Sequence, residues 1–141
     1  MRFVRALSIT VSVLTVSTIV GLLLGNPFVF GHAKFVKSNI ENGKVYRVSE
    51  LPDRLELTFE GELTPRSHVY VFTVSGTLLV DKGDVKIEKE HGHGDAHGKS
   101  KLSVALNKEK LTSGLYQVRW IAVDSDHNAF VEGGFVFAVR D

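Results

Sequence analysis

The sequence predicts an all-β protein: one antiparallel Greek-key β-sandwich of the immunoglobulin-like kind, with about seven strands, behind an N-terminal signal segment. Three observations carry this. Short runs of alternating apolar and polar residues recur along the chain, turn residues divide them, and no long stretch has helical period. About seven such runs fall within the last 110 residues, the strand density of a two-sheet sandwich. That length supports one hydrophobic core and not two.

The runs can be taken in order. Lys34-Phe35-Val36-Lys37-Ser38 is a short strand, ended by the turn Glu41-Asn42-Gly43. Pro52-Asp53 leads into Arg54-Leu55-Glu56-Leu57-Thr58-Phe59, where Leu55, Leu57 and Phe59 alternate with polar residues, so one face is buried. Residues 67–74 are rich in β-branched and aromatic types, and Ser75-Gly76 turns them toward a further strand at 77–80. Residues 84–88 and 101–106 are two more alternating runs. Between them lies a Gly/His/Asp/Lys stretch, residues 90–100, with no apolar side chain larger than Ala96. Leu111-Thr112-Ser113-Gly114 is a turn feeding residues 115–123, the longest apolar run and the expected central strand. Trp120 stands in the middle of it and reads as core. Residues 133–139 close the chain, with Phe135, Phe137 and Val139 on one face.

The N-terminus reads differently. Residues 1–5 carry Arg2 and Arg5, residues 6–24 are uncharged and mostly apolar, and Asn26-Pro27 breaks the run. Val29 and Gly31 then supply the small residues that a signal peptidase needs before a cut. The expected division is residues 1–31 as signal and 32–141 as the mature domain, in the periplasm or otherwise outside the cytoplasm. Uncleaved, the apolar run is near the lower limit for a membrane span and would anchor the domain. Cleavage would make His32 the first residue, offering an α-amine and an imidazole together, a chelate suited to Cu(II).

Composition narrows the chemistry. The whole chain has 17 Lys+Arg and 16 Asp+Glu; loss of Arg2 and Arg5 with the signal turns the net charge from +1 to −1. No basic stripe remains, so nucleic acid is not an expected partner. There is no Cys, which excludes disulfides and thiolate sites, and the only Met is Met1. A mature chain without sulfur favours Cu(II), Zn(II) or Ni(II) over soft Cu(I). Nothing points to nucleophilic catalysis: there is no Cys, no phosphate-binding glycine loop and no Gly-x-Ser-x-Gly elbow.

Four blocks in order resemble the CopC-type periplasmic copper-resistance proteins. The opening His32-Ala33-Lys34-Phe35-Val36-Lys37-Ser38-Asn39-Ile40-Glu41-Asn42-Gly43 is similar to that family's start, with Asn39-Ile40 where Thr-Pro is usual and Gly43 in register. Pro52 to Phe59 resembles its second block, and Leu111 to Trp120 its L-x-x-G-x-Y-x-V-x-W block. Residues 123–139 resemble the stretch that carries an Asp-x-His pair and a closing G-x-F-x-F strand. The resemblance implies a copper-binding protein, not an enzyme, acting in copper homeostasis or resistance as a monomer, beside a CopD-type inner-membrane copper protein. It implies one Cu(II) per chain held by His32, His127 and Asp126.

Asp126 and His127 are adjacent here rather than separated by one residue. A regular strand would point them to opposite faces, so a bulge or loop must bring them together. Asp124 is an alternative carboxylate. Some members place an acidic ligand where this chain has Gly61, between Glu60 and Glu62, so either neighbour is a further candidate. In place of a Met-rich Cu(I) loop the chain has His91-Gly92-His93-Gly94-Asp95-Ala96-His97, whose three histidines form a secondary candidate site. His68, inside a strand, reads as structural.

Two other functions fit parts of the pattern. An N-terminal His paired with a second His also builds the copper site of lytic polysaccharide monooxygenases, which are β-sandwiches. A metal-free immunoglobulin-like domain on an uncleaved anchor is the third reading. The sulfur-free mature chain generates one test directly. Cu(I) competition assays should show far weaker binding than in Met-loop relatives, and tight Cu(I) binding would reveal an all-histidine site.

Overall fold

A computed structural model of the chain describes residues 33–90 and 98–141. The expectations placed on the signal segment, on His32 and on His91, His93 and His97 lie outside the described residues. Among the described residues there are eight strands: β1 Lys34–Ser38, β2 Val45–Arg47, β3 Arg54–Glu60, β4 His68–Thr73, β5 Lys86–Glu90, β6 Lys99–Ala105, β7 Gly114–Val123 and β8 Phe130–Arg140. They form two four-stranded sheets in the orders β1-β3-β6-β5 and β2-β8-β7-β4. The all-β sandwich is as the alternating pattern predicts. One pair departs from the antiparallel rule, because β2 runs parallel to β8.

The strands form because their alternating residues fill the space between the sheets. Leu55, Leu57 and Phe59 of β3 are wholly buried, as are Leu102 and Val104 of β6, Val69 and Val71 of β4, and Val118 of β7. Each such side chain contributes about 1.5–3 kcal/mol by leaving water. Outward residues of the first sheet are charged and alternate in sign across one rung. Lys34 faces Glu60, Glu60 faces Lys99, and Lys99 faces Glu90. That rung lines up the beginnings and ends of all four strands at one end of the sandwich.

Two local differences from the sequence pattern have physical causes. Residues 77–80 make no strand of their own. They bond to β4 through Thr73 N–H to the Leu78 carbonyl (2.9 Å) and Val80 N–H to the Val71 carbonyl (2.8 Å). The next position on that edge is taken by a side chain, since buried Asp81 accepts the Val71 N–H at 2.7 Å. The strand expected at 84–88 begins two residues later, because the Asp84 carboxylate accepts the Ala105 N–H and binds Arg54 instead of extending the ladder.

Trp120 anchors the core, as its place in β7 predicts. Its ring stacks on Phe35 with centroids 4.7 Å apart and meets Phe59 and Phe135 at 6.3 and 6.2 Å. The indole lies across Gly133, its partner on β8. A methyl group there would come within 2.3 Å of the ring. Gly133→Ala should therefore destabilise the fold by about 3 kcal/mol, the upper end of overpacking costs. Denaturant unfolding followed by Trp120 fluorescence measures this, and a loss below about 1 kcal/mol would show that the ring yields freely.

Candidate metal centre

Three chain segments meet at the rung-aligned end of the sandwich. The first is Ala33, buried and one residue before β1. The second is Gly61, directly after β3, with φ +99°, a backbone conformation open to glycine and strained for other residues. The third is Asp124, at the end of β7 and only 3% exposed. A methyl group built on Gly61 would lie 3.4 Å from Ala33 Cα and 3.7 Å from Asp124 Oδ2. Glycine thus keeps open a small corner that a side chain would fill, with a buried carboxylate oxygen at its wall.

Asp124 also organises the turn that follows it. Its Oδ1 accepts the Asp126 N–H at 2.7 Å, and its own N–H donates to the Ala129 carbonyl at 2.9 Å. Asx turns of this kind are why Asp and Asn dominate such positions. Asn128 completes the reversal at φ +52°, a left-handed conformation that Asn tolerates, and its side-chain oxygen accepts from Arg66. Asp126 and His127 therefore sit on an exposed turn between β7 and β8 rather than in a strand. The loop that their adjacency required is present.

The two carboxylates of this turn differ in kind. Asp126 is exposed. Asp124 is buried, has one oxygen committed to a backbone N–H, and holds the other against the Gly61–Ala33 corner. The family resemblance implies Asp126, with Asp124 as the alternative; the spacing Asp124-x-Asp126 is the sequence signal of an Asx turn.

Glu60 is exposed at the end of β3, in register with Lys34 and Lys99. Glu62 pairs with Lys89 at 2.9 Å and packs against Gly98, and its carbonyl accepts the Ser125 N–H at 2.9 Å. Glu90 and Gly98, the residues that bracket the three-histidine segment, lie at this same end, and Gly98 accepts the Gly61 N–H at 2.7 Å. His68 belongs elsewhere: its ring leans on Tyr70, with centroids 4.3 Å apart, on the outer face of the second sheet. Among the described residues, no group of three His, Asp or Glu side chains is close enough to hold a metal ion. His32, which precedes Ala33 in the sequence, lies outside the described residues.

No curated protein matches this chain. Two solved structures are similar to it in part. One is neutral ceramidase from Pseudomonas aeruginosa, 17% identical with a TM-score of 0.44, covering 81% of this chain and 20% of that one. The other is a ceramidase complexed with C2, 16% identical with a TM-score of 0.43, covering 82% of this chain and 20% of that one. The chain thus spans about a fifth of the length of either. The family model described as CopC domain matches residues 35–140, from the first strand to the end of the last. The chain belongs to the CopC family of copper-resistance proteins.

Proposed function

We propose that this chain is an exported binding protein that holds one Cu(II) at the Ala33–Gly61–Asp124 corner and buffers or delivers it outside the cytoplasm. CopC proteins bind copper and are in general periplasmic. The observation that carries the finer reading is the packing of Ala33 against Gly61 beside the Asp124 carboxylate. Consecutive Cα atoms are about 3.8 Å apart. A mature N-terminus at His32 would put its amine and imidazole within a residue's reach of that carboxylate.

In this reading the amine and imidazole of His32 and the imidazole of His127 supply the nitrogen donors. Asp124 supplies the oxygen at the wall of the corner, and Asp126 stands on the turn as the exposed alternative. The protein is a carrier and not a catalyst, and a CopD-type inner-membrane copper protein is the partner to which copper passes. His91, His93 and His97 form a second, weaker site, since their bracketing residues open at the same end and a glycine-rich segment loses entropy on ordering around an ion.

The amine ligand has a direct test. A mature chain carrying one extra residue before His32 should fold normally and lose most of its Cu(II) affinity, because the amine has become an amide. An unchanged dissociation constant would remove the amine from the site.

A second titration assigns the remaining donors. Asp124→Asn keeps an oxygen for the Asp126 N–H but drops the charge. It should weaken Cu(II) binding at least about tenfold, the scale on which groups that merely orient a ligand already matter. Asp126→Asn should change it little. His127→Ala should abolish the tight site, whereas replacing His91, His93 and His97 together should remove only weaker equivalents. Copper competes with protons for its nitrogen donors, so binding should weaken on acidification, the weaker site first. Loss of the tight site in the triple variant with retention in His127→Ala would reverse the assignment.

A further inference from the structure

The strand β8 is covered along only part of its outer edge. β2 pairs with Ala138 to Arg140, and the Asn42-Gly43 turn bonds the Val136 backbone through Gly43 N–H to the Val136 carbonyl (2.7 Å) and Val136 N–H to Asn42 Oδ1 (3.3 Å). These bonds fix the alternation: even-numbered residues of β8 turn their backbone groups outward, away from β7. The N–H and carbonyl groups of Phe130, Glu132 and Gly134 therefore line an open edge and meet no partner among the described residues. Proteins ordinarily cover such an edge or protect it with charge. Here Phe130 is 68% exposed and Gly134 carries no side chain.

We propose that this edge is the contact for a second copy of the same chain, the two β8 strands pairing antiparallel about a two-fold axis at Glu132. The register follows from the free groups. With Glu132 facing its counterpart, Phe130 of each copy falls opposite Gly134 of the other, and the outward groups of all three residues are paired. The Asn42-Gly43 turn blocks a pairing extended through Val136. Side chains agree with this register. Above Gly134 lies a groove of about 360 Å³ lined by Gln117, Arg119, Glu132 and Val136. Arg119 leans over Gly134, its Cγ 3.5 Å from where a Cβ would stand. A Phe130 ring opposite Gly134 enters that groove, and the symmetry makes each copy both ring and groove.

Charge fits as well. The two Glu132 carboxylates at the axis would repel each other unless compensated. Each already has Arg119 Nη2 at 3.9 Å, so two guanidinium groups flank the pair. The occupant is therefore self-complementary in hydrogen bonding, shape and charge. The contact is one short strand, below the size of a permanent dimer, so association is weak and reversible. The monomer expected from the sequence is its dilute state. Because Phe130 lies three residues after His127, pairing brings two copper-site turns to the same continuous sheet.

Sedimentation equilibrium of the exported protein across a concentration series tests this, together with amide hydrogen exchange at low and high concentration. The average mass should rise toward twice the monomer, with concentration-dependent protection at the Phe130, Glu132 and Gly134 amides. Phe130→Ser should weaken association at least about tenfold, as loss of a seated aromatic anchor does. Arg119→Ala should weaken it about fivefold by leaving the paired carboxylates uncompensated. Both side chains are exposed, and thermal melts report whether each variant stays folded. A constant monomer mass at every concentration would overturn the proposal. So would association that persists in both variants or protects other amides, which would mark a different surface.

Discussion

The arrangement of this protein depends on how residues 61–64 cross from one sheet to the other. Their backbone bonds alternate in direction. Gly61 N–H donates to Gly98 and Leu63 N–H to Ser100 Oγ (3.0 Å), both at the start of β6. Thr64 N–H donates to Val123 (2.8 Å), and the Glu62 carbonyl accepts from Ser125, both at the end of β7. Four residues thus tie the two sheets together at one end. The left-handed Gly61 starts the crossing, and wholly buried Leu63 seals it against the core. Without this tie, Ala33 on one sheet and Asp124 on the other would have no reason to meet.

The same constraint separates rigid parts of the candidate site from those it merely positions. Asp124 is fixed through its N–H, through one carboxylate oxygen and by burial. The turn after it is shaped by that carboxylate. In the proposed site, a carboxylate held by other bonds would keep its geometry without the ion, which lowers the ordering cost of binding. Ala33 reaches the corner directly before β1, whose own position is set by pairing with β3 and by Phe35 stacked on Trp120. Core packing and site geometry are therefore one structure.

Much of the fold was legible in period-2 alternation, since β3 and β8 bury the residues their pattern marked. Trp120 was readable for the same reason. β2 was not, because three residues, Val45 to Arg47, offer too little alternation, and β2 exists through its parallel docking on β8. Asn39-Ile40, a departure from the family's pattern, is explained only by contacts. Asn39 bridges to β3 through Arg54 and Glu56, and Ile40 is buried in the core. In the site, the turn around His127 was foreseeable from two adjacent polar residues that no strand could aim together. The difference between Asp124 and Asp126 was not. Two carboxylates two positions apart look alike in sequence, and only the sheet crossing buries one of them.

In the proposed function an N-terminal amine, two imidazoles and a buried carboxylate form one Cu(II) site at this corner. Pulsed electron paramagnetic resonance on the exported protein loaded with one equivalent of Cu(II) tests it most directly. Selective ¹⁵N labelling of histidine would distinguish the donors. Couplings are expected from one amine nitrogen and two imidazoles, with this spectrum lost in His127→Ala and kept in the His91, His93 and His97 triple variant. A spectrum with no amine coupling, and with imidazole signals that vanish in the triple variant, would contradict it.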